Sequence, residues 1–227
     1  MKLLALDTAT EACSAALYID GEIHQQYQLA PREHTQLILQ MAEHVLAQAG
    51  IAITDLDALA FGCGPGSFTG VRIATGVVQG MAFGADLPVV PVSTLASMAQ
   101  LVLERESEKK VLSIIDARMG EIYFGAYAQA ENGLMQLQGE EALLKADQIP
   151  LPESSGWSGA GTGWAAYGQS MQQLLGNKLK SFNADVYPQS KTIARLAVAA
   201  FERGEVVPAE QAIPVYLRDN VAKKAQS

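Results

Sequence analysis

The chain has 227 residues, nearly half of them hydrophobic, and a formal net charge of −8. That length supports one large domain or two lobes around a real core. The acidity argues against a chain that grips nucleic acid alone, because such affinity comes from Lys and Arg neutralising phosphates. The opening MKLLALDTATEA is broken by Asp7 before it forms the apolar core of a signal peptide, and no apolar run is long enough to span a bilayer. Two cysteines, Cys13 and Cys63, make neither a disulfide framework nor a metal site. The expectation is a cytoplasmic protein with buried thiols and no membrane contact.

Residues 2–6 read as a strand ending at Asp7, and residues 12–19 as a second strand. The Asp20-Gly21 pair before residues 22–29 is a hairpin signal. The chain therefore opens as an antiparallel meander whose first turn carries Asp7-Thr8-Ala9-Thr10. Pro31-Arg32-Glu33-His34 leads into a helix over residues 35–49, with Leu37, Ile38, Met41, Val45 and Leu46 on one stripe and Gly50 as its stop. His34 and His44 flank it and read as surface or cap histidines, since no spacing matches a metal site. Residues 56–61 form a strand feeding a Gly-rich loop, Gly62 to Ser67. The helix that follows, capped by Ser67 or Thr69, has Arg72 as its one charge and is apolar nearly all round. Gly76, Gly80 and Gly84 lie four apart on one face. This pattern predicts burial against the chain's own core on one face and against a helical partner on another. Residues 87–92 form a strand, and Ser93 or Thr94 caps a helix to residue 105. The charged run 104–110 marks a lobe boundary, giving residues 1–105 and 106–227.

Residues 111–116 repeat the opening, VLSIID against LLALD, and Asp116-Ala117-Arg118-Met119-Gly120 is a polar turn like the first. A strand over 121–128 and an Asn132-Gly133 turn complete a second copy of the meander, which points to a duplicated architecture. Lys109, Lys110 and Arg118 are a candidate local basic patch, with a solvated surface as the plainer reading. Residues 134–152 are a mixed connection. A Gly-rich loop with Gly159, Gly161 and Gly163 then precedes a helix through Trp164, Tyr167, Met171, Leu174 and Leu175, stopped by Gly176. Such a loop can receive phosphate, but it lacks the Walker lysine and the dinucleotide fingerprint, so a plain tight turn stays open beside it. Ser190 caps a last helix over 191–203 with Ile193, Leu196, Ala197, Ala200 and Phe201 inward. Residues 208–217 are extended, and a polar, loose tail from residue 218 is free to pack back on the first lobe.

Two lobes on similar meanders, each turning an aspartate loop toward a shared cleft, resemble the α/β fold of actin, the heat-shock ATPases and sugar kinases (ASKHA). The segments LLALDTATEACSAAL, PREHTQ, GPGSFTGVRIATG, PVSTLASMAQ and IDARMGEIYFGAY, with the terminal PVYLRDNVA, together resemble the bacterial TsaB family, also called YeaZ. The resemblance implies an accessory subunit, not catalytic alone, for making threonylcarbamoyladenosine at the tRNA adenosine next to the anticodon. It implies two partners: the catalytic relative TsaD, with the same fold and the metal, and the ATPase TsaE. In that relative a His-x-x-x-His motif stands where this chain has Ser93-Thr94-Leu95-Ala96-Ser97-Met98, without imidazole or carboxylate. No catalytic residue, metal or cofactor is therefore expected here, ATP, ADP and the metal belonging to the partner subunits. The expected partner surface comprises Arg32, His34, Leu37 and Met41 around the first helix and Thr69, Arg72, Ile73, Gly76, Val77 and Gly80 on the glycine helix. The same surface could make a homodimer in isolation. A degenerate nucleotide cleft would collect Asp7, Thr8, Asp116, Gly159, Gly161 and Gly163. Asp7 and Asp116 read equally well as turn residues capping local amides. Two other functions stay open: a sugar-kinase-like phosphotransferase using Asp7, Asp116 and the 159–163 loop, and a protease, for which His34 has no readable Ser or Cys partner.

Overall fold

The structure, a computed structural model, describes residues 1–218. The expected loose tail past Arg218, and the end of the terminal PVYLRDNVA motif, lie outside the described residues. Strands β1 (Lys2–Asp7), β2 (Ala12–Ile19) and β3 (Glu22–Leu29) form the antiparallel meander. Asp20 and Gly21 both adopt positive φ, the turn geometry whose twist matches paired strands. Strands β4 (Ala58–Gly64) and β5 (Val89–Ser93) add parallel to β1, giving the order β3-β2-β1-β4-β5. β1 and β4 are almost wholly apolar because both faces of this sheet are covered. Helices α1 (His34–Ala49) and α2 (Phe68–Ala85) cover one face, with Ile38, Met41, Val45, Ala74 and Val78 against Leu4, Leu6, Leu59 and Phe61.

The second sheet contains β6 (Lys110–Arg118), β7 (Glu121–Gln129), β8 (Met135–Leu137), β9 (Ala142–Lys145), β10 (Trp157–Ala160) and β11 (Leu179–Asn183). Its order is β11-β10-β6-β7-β8, with β9 also pairing β7. β6 runs antiparallel to β7 and parallel to β10, which is parallel to β11. Taken as counterparts of β1 to β5, these strands reproduce the order and directions of the first sheet. That duplication is the actin and sugar-kinase-like fold. Helix α3 (Thr94–Glu106) covers one face through Leu95, Met98 and Leu101, and helix α4 (Gly163–Leu175) covers the other through Trp164, Met171 and Leu175.

Helix α5 (Ser190–Glu202) follows the second sheet in the chain yet packs on the first, where Ile193, Ala194 and Ala197 meet Leu3, Ala5, Ala60 and Val90. α3 precedes the 105/106 boundary yet packs on the second sheet. The two helices meet where the Ser97 and Thr192 hydroxyls pair at 2.7 Å and the Gln189 N–H donates to Ser97 Oγ at 3.2 Å. The sequence predicts Ser190 as the cap of α5, and the structure corrects this. Gln189 holds that position, and Ser190 instead donates its hydroxyl to the Ser14 carbonyl at 2.7 Å. β11 escapes the sequence reading because only Leu179 of its residues is buried. The mixed stretch 134–152 contains β8 and β9, and Leu174 faces outward on α4. Both cysteines are free and buried. Among the described residues no helix is long and apolar enough to cross a membrane.

Candidate docking face and interlobe cleft

Between the sheets lies a cleft of about 890 Å³, lined by Thr10 and Glu11 of the first turn, Asp116 and Arg118 of the second, and Ser67 and Thr162 among others. Asp7 is not on it. Its side chain is fully buried, Oδ1 accepts from the Ala9 N–H at 3.2 Å, and Oδ2 has no partner. Burial pushes its pKa up to about 7. A Cβ on Gly62 would lie 1.9 Å from Asp7 Oδ2, so the glycine there makes room for the carboxylate. The buried Thr8 hydroxyl donates to the Gly70 carbonyl at 2.6 Å and accepts from the Ala74 N–H at 3.0 Å. It engages two groups that an unbroken helix pairs with each other, and so bolts the first turn to α2. Gly70 permits that approach, since a Cβ there would sit 2.1 Å from the Thr8 carbonyl oxygen.

The second half of the cleft follows the same division. Asp116 reaches the cleft and is held by Arg118, whose Nη1 donates to Oδ2 at 2.9 Å. Gly159 accommodates the Trp164 ring, Gly161 adopts φ +107° against the Ile114 carbonyl, and Gly163 accommodates the Ile114 side chain. These three glycines serve helix–sheet packing behind the cleft wall. Of the expected nucleotide set, only Asp116 lines the cleft. The enclosed carboxylate of Asp7 and the tightly packed glycines do not fit a magnesium-bound nucleotide. Lys109 and Lys110 lie at the opposite end of β6 from Arg118, so that basic patch does not assemble.

The 93–98 window is given over to structure. Ser93 caps α3 by accepting from the Leu95 and Ala96 N–H groups, and it donates to Glu141. Ser97 joins the α3–α5 contact and Met98 lies in the second core. Burial pushes both cysteine thiols up to about 12, which keeps them protonated, and His34 Nε2 is buried without a hydrogen-bond partner, so His34 is paired with neither thiol.

Helix α2 is capped by Ser67, whose Oγ accepts from the Gly70 N–H at 3.3 Å. Its inward residues are Gly70, Val71, Ala74, Thr75, Val78 and Ala82. The opposite face exposes Thr69, Arg72, Gly76, Gly80 and Phe83, the last 83% exposed, with Ile73 and Val77 half-buried at its border. A Cβ at Gly76, Gly80 or Gly84 would meet nothing within 4 Å. Among the described residues α2 is covered on the core-facing side, as the first half of that expectation has it, and the face expected to meet a helical partner is bare. On α1, Met41 is buried against the chain's own core and Leu37 is half-buried, whereas His34, though buried, lines the cleft together with the exposed Arg32.

The sequence reading missed Phe83 and the segment 212–218. Phe83 lies seven residues after Gly76, on the same helical face, so its spacing was a usable signal. The segment runs beside α2: Gln79 Nε2 donates to the Ala212 carbonyl at 2.9 Å, and the Val215 N–H to the Cys63 carbonyl at 2.8 Å. The Arg72 guanidinium lies 3.7 Å over the Phe68 ring, and its Nε donates to the Tyr216 hydroxyl at 2.8 Å.

The family described as TsaD, tRNA N6-adenosine threonylcarbamoyltransferase, matches residues 15–226. The chain is 45% identical over 227 residues to the tRNA threonylcarbamoyladenosine biosynthesis protein TsaB of Escherichia coli (strain K12), covering 99% of this chain and 97% of that protein. It is 39% identical over 233 residues to the protein of the same name from Haemophilus influenzae, covering 99% and 96%. The solved structure of YeaZ from Pseudomonas aeruginosa matches with a TM-score of 0.90 at 46% identity, over 95% of this chain and 99% of that one.

Proposed function

Because the chain belongs to the TsaB family of tRNA threonylcarbamoyladenosine biosynthesis proteins, we propose that it works in the cytoplasm as the accessory subunit that docks a TsaD-type catalytic subunit on the bare face of α2. The supporting observation is the contact-free row Gly76, Gly80 and Gly84. Each glycine inside a helix costs about 1 kcal/mol relative to alanine, and nothing among the described residues uses the space they leave. A second helix approaching closely would use it. A partner with the same fold can offer its own counterpart helix in a near-isologous pairing, and a second copy of this chain could take that place when the partner is absent.

Threonylcarbamoyl transfer to N6 of the adenosine would then belong to the partner, with metal and nucleotide held there and a TsaE-type ATPase joining the pair. This chain would add no nucleophile and no general base, in keeping with its enclosed Asp7, its protonated thiols and the packing role of residues 93–98. It would not bind tRNA unaided. The test is co-purification with the TsaD-type subunit of the same cell, comparing wild type with Gly76→Arg. Wild type is expected to bind and the variant to lose binding while keeping its circular dichroism. Folded wild-type protein that fails to bind would sink this reading. A titration of the isolated chain with magnesium and ATP, expected to give no heat, separates it from a phosphotransferase.

A further inference from the structure

We infer that the segment 213–218 is the second wall of the same docking face, so that the TsaD-type partner seats on α2 and this strap together. The inference rests on the docking reading above. Its first support is area. An 18-residue helix is about 27 Å long and offers a strip about 10 Å wide, on the order of 300 Å². A stable interface buries about 800 Å² per partner. The face of α2 alone falls well short, so the footprint must spread onto what flanks it.

The flanks differ in chemistry. Apart from Leu39, the exposed positions of α1 are dominated by polar residues, among them Gln36, Gln40, Glu43 and Gln48. The strap presents Ile213, Val215 and Tyr216, respectively 63%, 43% and 44% exposed. It is continuous with α2, because the Tyr216 ring lies tilted against Phe68 at 5.9 Å between ring centroids and its hydroxyl accepts from Arg72. Aromatic residues and arginine are the types enriched at the centres of protein interfaces, and Phe68, Arg72, Tyr216 and Phe83 place them on this one surface. The strap also bridges the sheets. The Val215 N–H is hydrogen-bonded to the end of β4, whereas Arg218 Nη2 donates to the Ala117 carbonyl at 3.0 Å and to Glu121 at 2.6 Å. A partner seated on the strap therefore touches a segment fixed to both lobes and lining the cleft between them.

The experiment measures the affinity of the purified full chain for the purified TsaD-type subunit by titration calorimetry. Four proteins are compared: wild type, Gly76→Arg, Ile213→Asp, and the control Leu151→Asp at an exposed apolar position of the second lobe. Circular dichroism and thermal melts confirm that each is folded. Ile213→Asp is expected to weaken binding about tenfold or more, as Gly76→Arg does, with Leu151→Asp unchanged. Loss of binding in Gly76→Arg with wild-type affinity in Ile213→Asp would overturn the strap inference and leave the α2 reading standing. Wild-type affinity in both, or no binding by wild type, would overturn both. Should Ile213→Asp melt early, Ile213→Ser replaces it, with a smaller loss expected in the same direction.

Discussion

Asp7 shows how one side chain sets a pH dependence. Burial raises its folded pKa to about 7 from an unfolded value of 3.8. Between those values the folded chain keeps a proton that the unfolded chain has released. Stability from this group is therefore full at low pH, falls as pH rises through that window, and is flat above it. The ceiling on the loss is about 4 kcal/mol, from roughly three units at 1.36 kcal/mol each. Asp7→Asn keeps an acceptor for the Ala9 N–H and cannot ionise, so its urea midpoint is expected to change less than wild type between about pH 5 and about pH 8. An unchanged difference would place the pH dependence elsewhere. Thr8→Val is expected to destabilise by about 1–3 kcal/mol, read from the same urea curves, because it strips the Gly70 carbonyl and Ala74 N–H of a buried partner. The sequence located both residues on the first turn. It did not say whether they face the cleft or the interior, because that depends on Gly62 and Gly70, whose missing side chains admit them from other elements.

At the scale of the element, α2 carries two kinds of glycine that spacing alone cannot separate. Gly70 is buried under the first turn, while Gly76 and Gly80 face open space. Gly70→Ala is expected to destabilise, since its Cβ would collide with backbone that cannot swing aside. Gly76→Ala is expected to raise the stability of the isolated chain by up to about 1 kcal/mol through helix propensity. Chemical unfolding of the two variants checks both signs, and a destabilised Gly76→Ala would mean that the outward face has a partner within the chain. The helix, its Ser67 cap and its glycine periodicity were all legible. Which face lacked cover was not, because an apolar residue facing the core and one facing a docking surface look alike in a single sequence. β11 was illegible for the converse reason: at the sheet edge its exposed residues leave no apolar pattern.

At the scale of the whole molecule, the duplication could be read from two short matching segments, since each meander is local in sequence. The exchange of α3 and α5 between the sheets could not, because it is decided by tertiary packing across the length of the chain. It predicts how a fragment behaves. A piece ending at residue 105 lacks Ile193, Ala194, Ala197 and Ala200, which cover Leu3, Ala5, Ala60 and Val90. Such a fragment is expected to bind hydrophobic dye and to unfold without a cooperative transition, and a sharp melt would contradict it. The same arrangement sets a schedule during synthesis. The first sheet has all its strands once Ser93 has been made, yet its last cover ends at Glu202, about 110 residues and roughly 5–20 s of translation later. For that interval the ribosome holds a sheet with one greasy side open, so the earliest strands to be made are among the last to be sealed.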